Sequence, residues 1–353
     1  MPSEVYIYLI PFLALLLVPS FRSEYFGRFD KNFDPVTKPV GRIDFFDYIK
    51  GLSILGVVLI HVTYFFDQLD LFGFPLLTIN FLNNFWRFAI ALFLISSGVL
   101  LNPQNLTSAK GVWGFYKRKV VRLLLPYLVL SGLTAYLFFP GLEWGQALYL
   151  IFSGKLLVPY YFIVVLFQLY LLYPLLVKLS KLKYFLEFSL ILSILSHIIP
   201  PLWEYQEITL FFQLLFFFVY GLTWRPFFLG EAKSKNLNWW WLILLHYLLV
   251  SLIINDYFYN ARYFYGPAVL HLLWAHKDRL LQTFPSRLIL FIGRQSLGIY
   301  THFLVVGYLF VVFSGLTWGW RLTLTVASSL VGMLFLAAVW RIGQYMIAKL
   351  WIK

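Results

Sequence analysis

The sequence has no cysteine, so disulfides, thiolate metal sites and a cysteine nucleophile are excluded, while the redox compartment is left open. Charge is scarce as well. Asp, Glu, Lys and Arg make up 12% of the 353 residues, against about a quarter in a soluble globular domain. The acidic half is the scarcer, with 15 Asp and Glu against 28 Lys and Arg. So few charged side chains cannot clothe a water-facing surface when 61% of the chain is hydrophobic. An ordinary soluble enzyme is excluded on that ground. A disordered chain is excluded too, because Phe, Tyr and Trp reach 21%. HExxH, Walker, paired-carboxylate and G-x-S-x-G patterns are also missing, which argues against a metal site, an ATP motor and a serine-elbow hydrolase.

What is present is a series of apolar runs near the roughly 20 residues needed to cross about 30 Å of hydrocarbon. Eleven are expected: Val5 to Phe21, Asp44 to Phe66, Phe81 to Leu101, Arg122 to Phe139, Leu157 to Val177, Tyr184 to Leu202, Glu207 to Arg225, Asn238 to Ile254, Asn260 to His276, Leu288 to Phe313 and Gly319 to Tyr345. The stretch from Gly141 to Leu156 is too short and polar to span and reads as an outer re-entrant or interfacial helix. The net charge of +13 is not gathered into a stripe, so no nucleic-acid partner is expected. The basic residues instead punctuate the runs. Clusters at 22–42, 110–122, 178–183, 225–235, 277–287 and 341–353 hold 22 of the 28 Lys and Arg residues, and each falls in an alternate loop of an eleven-span chain. By the positive-inside rule the N-terminus is outside and the C-terminus cytoplasmic. Residues 1–41 then form a transmembrane anchor with a cytoplasmic linker, and 42–353 form a ten-helix membrane domain. The fold class expected is an all-α polytopic membrane protein.

Ionisable residues inside spans are costly, so each needs a partner or a function. Asp47, Lys50 and His61 share one stripe of the second run, with His61 about 16 Å along the helix from Lys50. Either Asp47 pairs with Lys50 at the interface while His61 holds a buried hydrogen bond, or the stripe lines a cavity entered from the cytoplasm. Arg87, near the outer end of the third run, reads as a snorkelling cation or as part of that cavity. Arg118 and Arg122 are an orientation anchor, or a pair of guanidinium forks for a cytoplasmic phosphorylated substrate. Arg294 and His302 share the tenth run, where two ionisable groups suggest either structural pairing or a cavity. His197, His246, His271 and His276 have no spacing that points to chemistry.

Taken in order, several of these residues form a recognisable set. Asp47-x-x-Lys50-Gly51 precedes His61, and Phe93-x-x-x-Ser97-Gly98 follows it. Lys117-Arg118 leads to Arg122-Leu-Leu-Leu-Pro126-Tyr127. Further on come Tyr160-Tyr161-Phe162, Gln168-x-Tyr170-x-x-Tyr173-Pro174 and Ser296-Leu297-Gly298-Ile299-Tyr300-x-His302. From Arg42 to Tyr345 the chain resembles the acyltransferase type 3 family of integral membrane O-acyltransferases, including the branch linked to surface polysaccharide synthesis. The resemblance implies transfer of an acyl group, often acetyl, from cytoplasmic acyl-CoA to a hydroxyl of an extracytoplasmic carbohydrate or lipid-linked glycan. His61 matches the family's membrane histidine and would act as general base, with Asp47 as its catalytic companion on the stripe. Lys50, Arg118 and Arg122 would bind the donor; Arg87, Arg294 and His302 would face the acceptor or cavity. Lys50 stands where Arg is usual, Ala91 where many relatives have Pro, and Pro159 where some have His. That leaves His302 as the other matched histidine.

The expected function is thus acyl-CoA-dependent O-acylation at the plasma membrane, with the bilayer, the co-substrate acyl-CoA and a glycan acceptor as partners. No tightly bound cofactor and no metal are expected. The alternative is a glycan transporter or export component in which the buried charges line a conduit and no covalent bond changes.

Overall fold

In the computed structural model the apolar runs become helices because a backbone in lipid must satisfy its polar groups internally, and a helix does so within one segment. The structure describes residues 10–27, 43–71, 73–106, 108–197, 199, 204–205, 208–230, 238–253 and 262–351. Most of the expected linker, from residue 28 onward, lies outside the described residues, as do residue 42 and the first nine.

Among the described residues, five helices are long and apolar enough to cross a membrane: Asp44–Asp67, Pro75–Leu100, Ala109–Phe138, Val158–Leu179 and Trp318–Gly343. A sixth results if Pro285–Arg294 and Ser296–Val312, bent by 85°, count as one broken span. Phe185–Leu195 and Asn238–Val250 are apolar but shorter. The chain is an all-α, multi-pass membrane protein. A two-residue antiparallel ladder, β1 (Glu204–Tyr205) with β2 (Ile208–Thr209), interrupts the helices.

The chain divides into two compact units. The first comprises Met1–Tyr25, Arg42–Phe93 and Lys235–Lys353. It opens with α1 (Ile10–Leu17) and α2 (Pro19–Tyr25), separated at Val18 because Pro19 has no amide hydrogen to extend the ladder. The expected first span is therefore broken within its described part. Both pieces pack on aromatic side chains: the Phe12 and Phe264 rings meet edge-on at 4.5 Å, and the Tyr25 hydroxyl donates to the Tyr263 carbonyl at 2.6 Å.

The centre of this unit is α3 (Asp44–Asp67), which crosses α15 (Phe284–Arg294), the helix that follows the short α14 (Lys277–Gln282), at very short range. Glycine makes that approach possible. A Cβ on Gly51 would strike the Ile289 carbonyl oxygen, and one on Gly293 would strike the carbonyl oxygen of Asp47. Beyond α15 the chain turns through a 3-10 segment, Ser296–Thr301, into α16 (His302–Val312), and α17 (Trp318–Trp351) packs behind, its Trp340 filling the space a side chain at Gly298 would need.

A second break falls between α4 (Phe74–Phe85) and α5 (Phe88–Leu100). Carbonyls released at a helix end need new donors. Here the Arg87 amide closes on Asn84 O at 3.1 Å and two tyrosines add to the end: Tyr247 of α12 (Asn238–Ile253) also donates to Asn84 O at 3.3 Å, and Tyr265 of α13 (Arg262–Ala275) to Phe85 O at 2.8 Å. The two phenol rings stack at 3.8 Å, fixing both hydroxyls together.

The second unit comprises Phe26–Gly41 and Leu94–Ser234. In it, α6 (Ala109–Lys119) starts under a Ser108 cap that accepts the Gly111 amide, and it runs through a π turn at Val120–Leu124 into α7 (Leu125–Phe138). The expected span from Arg122 thus begins thirteen residues earlier, because the capped amphipathic segment is continuous with it. The expected interfacial segment forms α8 (Trp144–Ser153), followed by α9 (Tyr161–Leu179) and α10 (Phe185–Leu195). The motif tyrosines join α7 to α8 and to the 3-10 turn Val158–Tyr160 that leads into α9: Tyr127 donates to Ile151 O at 2.5 Å, and its ring meets that of Tyr160 edge-on at 5.5 Å.

Arg225, counted among the loop cations, lies inside α11 (Phe212–Phe228), is only 2% exposed, and donates from Nε to the Val99 carbonyl at 3.1 Å. A facing pair of glycines, Gly98 and Gly221, brings the two backbones close enough for that bond.

Candidate active site

His61 lies on α3, about three helical turns beyond the Gly51 crossing, and is 7% exposed. Its Nδ1 is 2.7 Å from Nε2 of His302, the first residue of α16, which is 2% exposed. The second imidazole is held in turn: its Nδ1 is 2.7 Å from the Ile299 carbonyl oxygen in the 3-10 segment. The bend after Arg294 makes this possible, since it turns α16 so that its first residue meets the last third of α3. Arg294 and His302, expected in one continuous span, therefore stand on opposite sides of a corner. Gln295, Ser296 and Gly298 form that corner, where Gly298 is also the only residue type that fits against Trp340. The Phe303 ring stands edge-on to His61 at 5.1 Å and walls the pair.

A polar group from the α4 end reaches the same place. Asn83 donates from Nδ2 to Thr63 Oγ1 at 2.7 Å and accepts from Arg87 Nε on Oδ1 at 2.8 Å. Thr63 Oγ1 donates back to Ile60 O at 2.8 Å. Arg87 is thereby held at the α4/α5 break, within electrostatic range of His61. Of the two readings of Arg87, the structure gives it a side-chain partner, Asn83, at this break.

Asp47 is not with His61. It lies fourteen residues before it on α3, about 21 Å along the axis. Its carboxylate is 3.6 Å from Arg294 Nε, while Arg294 donates from a terminal nitrogen to Asp44 at 3.0 Å. The pairing follows from the glycine crossing, which sets the end of α15 against the start of α3. Lys50 is half-buried on the next turn of α3. In the second unit, Arg118 and Arg122 are exposed on the continuous α6–α7 helix, with Arg122 in the π turn. Neighbouring Lys119 points elsewhere, its Nζ 3.7 Å above the Tyr170 ring. Among the described residues, no three His, Asp or Glu side chains gather as a metal ion would need.

The arrangement is that of a buried imidazole with one ring nitrogen engaged by a second imidazole and a guanidinium nearby, inside a helical membrane bundle. Such a set is chemically able to exchange a proton with a bound group. The sequence model of the acyltransferase type 3 family, described as an acyltransferase domain, matches residues 43–339, which include every site residue above. The chain belongs to this family and is a membrane acyltransferase. No curated protein and no solved structure gives a significant match. The α1 and α2 helices lie before the matched segment.

Proposed function

We propose that this enzyme takes an acyl group, most simply acetyl, from acyl-CoA on the cytoplasmic side and transfers it to a hydroxyl of an extracytoplasmic carbohydrate or lipid-linked glycan at the plasma membrane. The observation that carries the reading is the buried His61, engaged by His302 within a domain of an acyltransferase family. A sugar hydroxyl attacks a thioester poorly until its proton is taken, and a positioned imidazole takes it as the bond to the carbonyl carbon forms. When the carbon–sulfur bond breaks, the same proton passes to the departing thiolate. Arg87, held beside His61, favours the negative charge that develops on the carbonyl oxygen and the acceptor.

Lys50, and separately Arg118 and Arg122, are assigned contacts with the phosphates of the donor. Asp47 keeps a part as the carboxylate at the head of the His61 stripe, set against Arg294. In this reading 1–41 is an anchor and linker before a ten-helix domain at 42–353, the N-terminus is outside, and the C-terminus is cytoplasmic, as the alternate basic loops favour. The glycan acceptor and the surface polysaccharide branch rest on the motif resemblance.

The test uses detergent-purified protein with radiolabelled acetyl-CoA and a panel of lipid-linked and free sugars. Label is expected to move to at least one acceptor with the native chain and not with His61→Ala. Equal transfer by both would remove the base assignment, and release of a glycan across proteoliposome membranes without label transfer would favour the conduit alternative.

A further inference from the structure

The hydrogen bonds around His302 specify which nitrogen of His61 does the work. The Ile299 carbonyl only accepts, so the His302 nitrogen 2.7 Å from it, Nδ1, carries a hydrogen. In a neutral imidazole the other nitrogen is then bare, and Nε2 of His302 accepts. The atom facing it at 2.7 Å is His61 Nδ1, which must supply the hydrogen between them. A neutral His61 that donates from Nδ1 has its lone pair on Nε2.

We infer that His302 is a positioning residue: with the Ile299 carbonyl, it fixes His61 as the Nδ1–H tautomer and makes Nε2 the basic atom. This rests on the acyl-transfer reading for its chemistry but not for its structural content. The order carbonyl, His302, His61 is a one-way chain of donors, because reversing it would leave a carbonyl oxygen facing a bare nitrogen. Burial of both rings keeps water from offering an alternative partner. The chain also accounts for the corner before α16. In the 3-10 turn Ile299 O accepts the His302 amide, and the ring of the same residue reaches that carbonyl as well.

During the reaction the acceptor O–H bond breaks as the new O–C bond forms, and the proton goes to Nε2. His61 is then an imidazolium whose Nδ1–H still donates to His302. On collapse of the tetrahedral intermediate the C–S bond breaks, and the Nε2 proton leaves with sulfur as the thiol. The chain returns to its starting tautomer with no net proton gained or lost.

The test is nitrogen-15 magnetic resonance on histidine-labelled protein in lipid at neutral pH. Coupling across the hydrogen bond between the two rings assigns the pair without a substitution. The expected result is a protonated Nδ1 and an unprotonated Nε2 on His61; a protonated Nε2 with a bare Nδ1 would overturn the inference. Kinetics supply a second arm. His302→Phe keeps the ring shape without the acceptor and should lower kcat about a hundredfold or more, with KM for acyl-CoA nearly unchanged. His302→Gln restores an acceptor and should recover at least tenfold of that loss. Equal kcat in the two variants would count against positioning. If the chain transferred no acyl group at all, the tautomer would still be read from the spectrum, so failure of the chemistry and failure of the inference are distinguishable.

Discussion

At the residue scale, His61 is separated from the other histidines by what faces it. His197 is met by Gln213 at 3.2 Å, and His271 lies flat on Trp240 at 4.1 Å between ring centroids. His197→Ala should therefore leave transfer near the native rate, while His61→Ala should lower it by about 10² to 10⁴ without loss of folded protein. Comparing label transfer with yield after size-exclusion chromatography checks both. The donor side gives a second expectation. Lys50→Ala and Arg122→Ala should each weaken acyl-CoA binding roughly tenfold, and Lys50→Arg should keep or improve it, because a guanidinium fork matches phosphate better than a point charge. Calorimetry on solubilised variants reads this, and unchanged affinity in both alanine variants would remove the donor assignment. His61 was legible from sequence because an ionisable group in an apolar run stands out. Its partner His302, 241 positions away, was visible as a matched residue but not as a contact, since which helix faces meet is decided by packing. Arg225 was misread for the opposite reason: at the end of an apolar run a buried arginine and an interfacial anchor look alike.

At the element scale, the site depends on helices that approach more closely than side chains usually allow. The Gly51 and Gly293 crossing sets α15 on α3, Arg294 then locks to Asp44 and Asp47, and the chain turns to deliver His302. Gly293→Leu should push the helices apart at a cost of about 1–3 kcal/mol or more and lower both the melting temperature and transfer. Gly315→Ala, where added bulk meets nothing within contact range, is the matched control and should change neither. Thermal unfolding followed by fluorescence distinguishes the two. Most helices were legible as apolar runs with charged or proline-bearing ends. The breaks were not. A run such as Leu288 to Phe313 has the average hydropathy of one span, and the corner within it is made by local hydrogen bonds and by Trp340 pressing on Gly298, neither of which appears in a composition window. The same holds at Trp86–Arg87, where Tyr247 and Tyr265 stabilise a helix end from about 160 to 180 positions away.

At the scale of the whole molecule, membrane character follows from composition alone, while direction depends on where the basic clusters lie. Reporter fusions at Lys31, Lys181 and Lys235 should all report the cytoplasm; one extracytoplasmic signal would break the eleven-span order. The proposed function assigns to the buried His61–His302 pair the acylation of a glycan outside the cell with a donor from within. Mass analysis of surface glycans tests it most directly, comparing cells with the native chain, with His61→Ala and with neither. An added acyl mass, acetyl in the simplest case, is expected with the native chain alone, with unchanged glycan abundance in all three. The same acyl mass in His61→Ala cells, or a change in glycan abundance with no change in mass, would contradict it.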